Sequence, residues 1–546
     1  MTDRTSTEGE AFGLRVEVHD ESAFAAALDE LVGERFASRL VARDATLWGP
    51  DAEDEASKRL SWVDLHESSR PLVSEVEDLR RDLTGRGIDH VVLCGMGGSS
   101  LAPEVICKAA GVELTVLDSS DPDYVRAAIA DRLESTVVVV SSKSGGTVET
   151  DSQRRAYEQA FTDAGLDPVD HVVVVTDPGS PLEETAEKAG YRVFSADPEV
   201  GGRYSALTAF GLVPSGLAGA DIGALLDQAA SIAPALASDD AENPGLRLGA
   251  ALGVANRAGV DKLVLAEVDS GLPGLGDWIE QLVAESTGKQ GRGILPVVVE
   301  STTATNFDPS SADEVLVTFG PGDVFVEVPA ASGYSATVDA KLGAAMLLWE
   351  HATVVAGRLI GINPFDQPDV ESAKQAARDM LGGDAASPTA AFTDAGVTVY
   401  DTGEWLPEEV STTAEAVGAL LDHLDPEHGY VAVQVYTDRA RDASFAKVRK
   451  TLAAKTGRPV TFGWGPRFLH STGQYHKGGP DTGVYLQVTA DPSQDLAVPG
   501  REFTFGTFIT AQAVGDGSVL ADKGRPVLRL HLADASGLTT VEELLS

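Results

Sequence analysis

The residue types best suited to chemistry fall in a few short stretches. Gln281 and Glu285 stand one helical turn apart in DWIEQLVAESTGKQGRG, at the border of an apolar stripe of Trp278, Ile279, Leu282 and Val283. A half-desolvated carboxylate in the last turn of its helix meets the negative end of the peptide dipole. It then holds a proton more tightly, as a general base should. Taken alone, Glu285 reads better as a helix-terminal surface acid of an acidic chain. Arg203 follows a two-glycine turn in GGRYSALTAFGLVP. It either pairs with a surface acid or points a fixed cation into a crevice, where it could stabilise an enediolate. In NPFDQPDVESAKQAAR, Asp369 is the expected helix N-cap and Lys374 falls in the second turn, which is also where many solvated lysines sit. His470 and His476, two of ten histidines, are six apart in FGWGPRFLHSTGQYHKGGPDTG. H-x5-H is not a zinc spacing, and proton transfer from a glycine-rich loop fits better than metal binding.

Two further stretches suit an anion. DHVVLCGMGGSSLAPEVI and VVVVSSKSGGTVETDSQRRAYEQA each run from a β-branched strand through a Gly and Ser/Thr turn into an amphipathic helix. Helix N-termini present unpaired N–H groups and the positive end of the dipole. Glycines admit a ligand close to the backbone, and Ser99, Ser100, Ser142, Ser144 and Thr147 add donors for a phosphate group. Gly-rich strand-to-helix turns are common in doubly wound folds. Two of them at neighbouring strand ends, with clustered hydroxyls, predict one phosphate-binding crevice.

The elements that must position these groups read as α/β. Residues 1–85 are expected to be a mainly helical N-terminal segment. From 86 to 236, HVVLC, LTVLDS, TVVVVSS, HVVVVTDP and YRVFSADP alternate with helices, the pattern of a parallel, doubly wound sheet buried on both faces. ASDDAENPG (237–245) is the expected linker. A second unit, 245–546, starts again with DKLVLAEVDS and continues with ILPVVVE, EVLVTFG, DVFVEVP, VTVYDT, YVAVQVYTD and PVTFGW into an extended C-terminal α/β region. The 546 residues carry 42 Lys and Arg against 84 Asp and Glu, a formal net charge of −42. That argues against nucleic acid or an anionic membrane as partner. The acidic N-terminus lacks an apolar signal region, no apolar run reaches 18 residues, and Cys94 and Cys107 read as reduced, so a cytoplasmic protein is expected.

Taken in order, GMGGSS, SSKSGGTVET, GGRYS, QLVAESTGK and FDQPDVESAK resemble the motifs of the glucose-6-phosphate isomerase (phosphoglucose isomerase) family, over about residues 90–378. The resemblance implies two flavodoxin-like sugar-isomerase domains, a homodimer, and no metal or other cofactor. It implies interconversion of glucose 6-phosphate and fructose 6-phosphate through a cis-enediolate. By motif, Ser142, Ser144 and Thr147 would bind phosphate with Lys143 in the same loop, and Gly98 and Ser99 would form the sugar-binding turn. Arg203 would lie beside the enediolate, Glu285 would be the base with Gln281 beside it, Lys374 would lie near the ring oxygen, and Gln367 would line the site. The family's Gly-Thr-x-x-Gln-His segment belongs between the Glu and Lys motifs. Here the only histidine in that interval is His351, inside an apolar helix. The nearest echo, STGQYH, follows Lys374, which makes His476 the first choice for ring opening and His470 the second. This order is similar to the isomerase half of fused transaldolase–phosphoglucose isomerase proteins. Alternatives within reach of the same loops are a dual-specificity phosphoglucose/phosphomannose isomerase and a non-catalytic sugar-phosphate-binding regulator.

Overall fold

A computed structural model of the chain describes residues 12–320, 330–382 and 388–546. The strand read at DVFVEVP (323–329) lies outside the described residues. The first sheet has five parallel strands in the order Thr115–Leu117, His90–Gly95, Thr136–Ser141, Val172–Thr176, Arg192–Ser195. Its three middle strands are wholly buried, which is why they read as unbroken valine runs rather than alternating ones.

The second sheet is ordered Gly13–Glu17, Ser335–Asp339, Glu314–Phe319, Lys262–Glu267, Leu295–Val299. Its first strand comes from the N-terminal segment and pairs antiparallel with Ser335–Asp339; the rest pair in parallel. The N-terminal segment is therefore not purely helical: one short strand closes an edge of the second sheet before the helices begin.

The extended C-terminal region builds a sheet of its own. Its order is Phe392–Asp394, Val397–Thr402, Val527–Leu532, Gly483–Ala490, Tyr430–Tyr436, Val460–Trp464, parallel except at the first two pairings. This third sheet does not stand apart. Tyr430, Tyr475, Tyr485 and Leu520 share a buried cluster with Val264, Leu295 and Leu316 of the second sheet. Val498 and Phe505 likewise pack against Val138 and Val174 of the first.

The expected linker 237–245 is a tight helix-to-helix turn. Asn243 Oδ1 accepts from the N–H groups of Gly245 (2.9 Å) and Leu246 (3.3 Å), while its Nδ2 donates to the carbonyls of Leu236 and Ser238. Pro244, which has no N–H to satisfy, starts the next helix, Pro244–Arg257. That helix packs along Leu342–Ile360, the core helix that holds His351. His351 is buried, bonds the Leu347 carbonyl, and burial pushes its pKa down to about 4, so it is a packed core residue. Among the described residues no helix is long and apolar enough to cross a membrane.

Candidate active site

The turn Gly97–Ser99 follows the strand His90–Gly95, and two other loops close on it. Gly97 has φ +57°, and a Cβ there would stand 2.9 Å from both Gln281 Nε2 and the His470 carbonyl oxygen. A Cβ on Gly98 would run into the Gly202 carbonyl and lie 3.2 Å from the Arg203 nitrogen. Glycine at 97 and 98 is thus what lets the sugar-binding turn expected from the sequence touch both the Glu285 helix and the Arg203 turn.

Glu285 sits in the last two turns of the helix Leu275–Thr287 and is buried rather than half-exposed. Gln281 lies one turn back and donates to its Oε2 at 3.4 Å; the same amide donates to the His470 carbonyl at 2.8 Å. Arg203 Nη1 stands 3.8 Å from Glu285 Oε2. A fixed positive charge thus lies beside the carboxylate.

Arg203 is held from several sides. Nε donates to Ser286 Oγ (2.8 Å), Nη2 to the carbonyls of Pro364 (2.6 Å) and Asp366 (3.1 Å), and Nη1 to Gln367 Oε1 (3.3 Å). Lys289, four residues after Glu285, clamps the same loop through the Asn363 and Asp366 carbonyls and the Asp366 carboxylate. Burial, and then the charge of Arg203, bring its pKa down to about 8. Gln474 adds a third tie, from its Nε2 to the Gly288 carbonyl and to Asp369 Oδ2, both at 2.9 Å. Lys374 follows in the helix Val370–Leu381; its side chain is not among the described parts.

The second anion loop lies at the start of the helix Val148–Asp163. Ser142 donates to Thr147 Oγ1 (3.0 Å), and the Gly146 N–H donates to Ser144 Oγ (3.3 Å), so the hydroxyls form one cluster. No side chain caps this helix, which leaves its first N–H groups available. Lys143 differs from expectation. Its Nζ turns to Asp177 (2.6 Å) and to the carbonyls of Asp197 and Pro198, so it braces the loop from behind.

The two histidines separate. His476, the first choice for ring opening, is fully enclosed, stacks on Tyr430 and meets Tyr485 and Phe468 edge-on. Its Nδ1 bonds the Tyr430 hydroxyl at 3.0 Å, and burial holds its pKa well below the ordinary value. Its ring contacts are therefore Tyr430, Tyr485 and Phe468 rather than the Gly97 turn, Glu285 or Arg203. His470 instead borders the Gly97 turn, and its Nε2 faces Glu149 Oε1 at 3.0 Å. Glu149 escaped the sequence reading although it stands in the TVET motif, because an acid in a first helical turn looks like ordinary dipole compensation. Its burial was the missing signal.

The Phosphoglucose isomerase family profile matches residues 64–308. A probable glucose-6-phosphate isomerase of Haloarcula marismortui is 30% identical over 349 residues, 55% of this chain and 80% of that one. The glucose-6-phosphate isomerase of Synechococcus elongatus is 32% identical over 358 residues, 55% of this chain and 67% of its own. The chain belongs to the phosphoglucose isomerase family. Among solved structures, a hypothetical protein from Thermus thermophilus superposes with a TM-score of 0.58 at 27% identity, covering 68% of this chain and all of that one. A glucose-6-phosphate isomerase from Chlamydia trachomatis gives 0.57 at 21% identity, with 70% and 90% covered, a likeness of fold. The matched range contains the Gly97–Ser99 turn, the 142–147 loop, Arg203 and Glu285.

Proposed function

We propose that this crevice interconverts glucose 6-phosphate and fructose 6-phosphate, and that the residues converging on the Gly97–Ser99 turn divide the work. The observation that carries the assignment is the meeting of a buried carboxylate, Glu285, with the fixed guanidinium of Arg203 at 3.8 Å beside that turn. The phosphate sits on the hydroxyls of Ser142, Ser144 and Thr147 and the free N–H groups at the head of Val148–Asp163. His470, oriented by Glu149, is the acid/base for ring opening. One proton goes to the ring oxygen, the anomeric hydroxyl gives one up, and the C–O bond breaks to leave an open-chain carbonyl. Glu285 takes the proton from C2 and returns it to C1, the O2 hydroxyl proton passes to O1, and Arg203 offsets the negative charge of the cis-enediolate between the transfers. Gln281 and Gln367 hold Glu285 and Arg203 in register, and Lys374 is assigned to the neighbourhood of the ring oxygen.

No step in this scheme calls on a metal, so turnover is expected to persist with chelator present. The buried free thiols of Cys94 and Cys107 support a cytoplasmic setting, and a homodimer is the proposed assembly.

The test follows fructose 6-phosphate conversion through NADP reduction by added glucose-6-phosphate dehydrogenase. Glu285→Gln should lower kcat by about 10²–10⁴-fold, with fructose 6-phosphate binding retained by calorimetry. A variant close to normal rate would remove Glu285 from the mechanism.

A further inference from the structure

We propose that Gln512 is a positioning residue for ring opening: it reaches from a helix of the C-terminal region to fix the carboxylate that orients His470. The inference rests on the reading of His470 given above and adds a residue to it. Gln512 lies in the helix Phe505–Asp522, 363 residues from Glu149 in the chain, and is buried. Its Nε2 donates to Glu149 Oε1 at 2.7 Å, and the same oxygen faces His470 Nε2 at 3.0 Å. At the other end of the amide, Ser120 donates its hydroxyl proton to Gln512 Oε1. Ser120 is itself buried, in the loop after the strand Thr115–Leu117 of the first sheet.

The order of donors follows from charge. An ionised Glu149 accepts and cannot donate, so the amide must present its NH2 to it and its carbonyl to Ser120. The hydroxyl of Ser120 then prevents the amide from turning over. With a donor on Glu149 from each of two separate elements, the carboxylate cannot swing away from the imidazole. A carboxylate at Nε2 keeps the proton on that nitrogen in the neutral ring and leaves Nδ1 as the acceptor. Gln512 thereby selects the tautomer and the direction of the ring without touching the sugar. Nothing in its sequence context, FITAQAVGDG, marks it out.

A buried Gln could instead serve only to tie the C-terminal region to the first sheet, and substrate choice separates the two roles. Fructose 6-phosphate must be opened before it reacts. Its 5-deoxy analogue lacks the hydroxyl that closes the furanose and enters as the open chain. In the full-length protein, Gln512→Met, an unbranched replacement of similar length, should lose about 10- to 100-fold in kcat/KM on fructose 6-phosphate. On the analogue it should lose less than about threefold, because proton transfer at C2 and C1 does not use the relay. Ser120→Ala, a milder change should Gln512→Met fold poorly, should show a smaller loss with the same preference. Ile509→Val, on the same helix against Tyr436 and Phe468 but outside the relay, should affect both substrates alike. Equal losses on both substrates for Gln512→Met and Ser120→Ala would overturn the inference. His470→Asn distinguishes the two failures. If it is selective while Gln512→Met is not, only the relay falls. If His470→Asn loses equally on both substrates, the ring-opening reading itself is wrong.

Discussion

Gly98→Ala is the sharpest probe of how the site is assembled. Position 98 is where the Gly97–Ser99 turn presses on the Arg203 turn: an added Cβ would overlap the Gly202 carbonyl and crowd the Arg203 nitrogen at 3.2 Å. A backbone carbonyl cannot rotate aside as a long side chain can, so the two turns must part by something on the order of 1 Å. A misplacement of about 1 Å is worth about 10²-fold in rate, or about 2.7 kcal/mol of barrier. Arg203 is tied to the 364–367 loop by three hydrogen bonds and will stay with that loop. The shift should therefore open the gap between Ser99 and Arg203 and appear mainly in kcat, measured with the coupled dehydrogenase. Gly201→Ala is the matched control. A Cβ there finds Tyr204 at 3.5 Å, an ordinary contact, and the variant should keep activity within about threefold. Should Gly98→Ala retain a third or more of normal kcat with an unchanged melting temperature, the close approach of the two turns would not matter to catalysis.

Other outcomes follow from single residues. His476→Phe removes a partner of the Tyr430 hydroxyl and should cost about 1–3 kcal/mol of stability, seen as earlier denaturant unfolding, while kcat per folded molecule holds. Burial and the neighbouring Arg203 bring the Lys289 ammonium down to about 8 in the native protein, against about 10.4 in the unfolded chain. Between those values the unfolded state holds the extra proton, so stability should rise with pH by up to about 1.4 kcal/mol per unit, a rise that Lys289→Met should abolish. Glu350 is wholly buried with neither oxygen partnered among the described residues, and burial raises its pKa well above the ordinary value. Folding then takes up a proton, and stability falls as pH climbs past about 4.3. Glu350→Gln should be more stable than the parent at pH 8 and no more stable at pH 4 in urea titrations. Finally, kcat/KM for fructose 6-phosphate should increase as KCl is added from low salt, since chain and substrate are both anionic; a steady decrease would mean that local cations govern the encounter.

Local patterns were the legible part of this chain. The valine runs of the first sheet are buried on both faces and announce themselves, and the loops at 97–99 and 142–147 carry glycines and hydroxyls at the right ends of strands. Strands that mix polar residues into a buried sheet were harder to read. Gly483–Ala490 is central in the third sheet, yet its Gln487 pairs inside with Gln434, which hides it from a search for β-branched runs. The short strand Gly13–Glu17 exists because Ser335–Asp339 offers it an edge, a partner more than 300 residues away. The choice between the two histidines was illegible for a similar reason. STGQYH echoes a family motif, but motif spacing does not report whether a ring faces a crevice or three aromatic side chains. The Glu149 and Gln512 contacts join residues far apart in sequence, and only folding puts them together.

A chain of net charge −42 that takes up a sugar phosphate poses an electrostatic problem, and the arrangement of its cations suggests how it is met. Three described cations near the crevice are committed to protein partners: Lys143 to Asp177, Lys289 to Asp366, and Arg203 to loop carbonyls with Glu285 beside it. On the proposed reading, a phosphate on the 142–147 loop would draw on neutral donors, the hydroxyls of Ser142, Ser144 and Thr147 and the uncapped N–H groups of Val148–Asp163. Such donors act over a hydrogen-bond length, where mobile salt does not intervene, whereas repulsion from surface carboxylates fades beyond about 8–10 Å at physiological ionic strength. Acidic surface and anionic substrate are thus compatible as long as recognition is short-ranged. Committed cations also serve catalysis better than free ones. An Arg203 already fixed by Ser286, Pro364 and Asp366 need not reorient when charge develops on the enediolate, and that fixed field is what lowers a barrier.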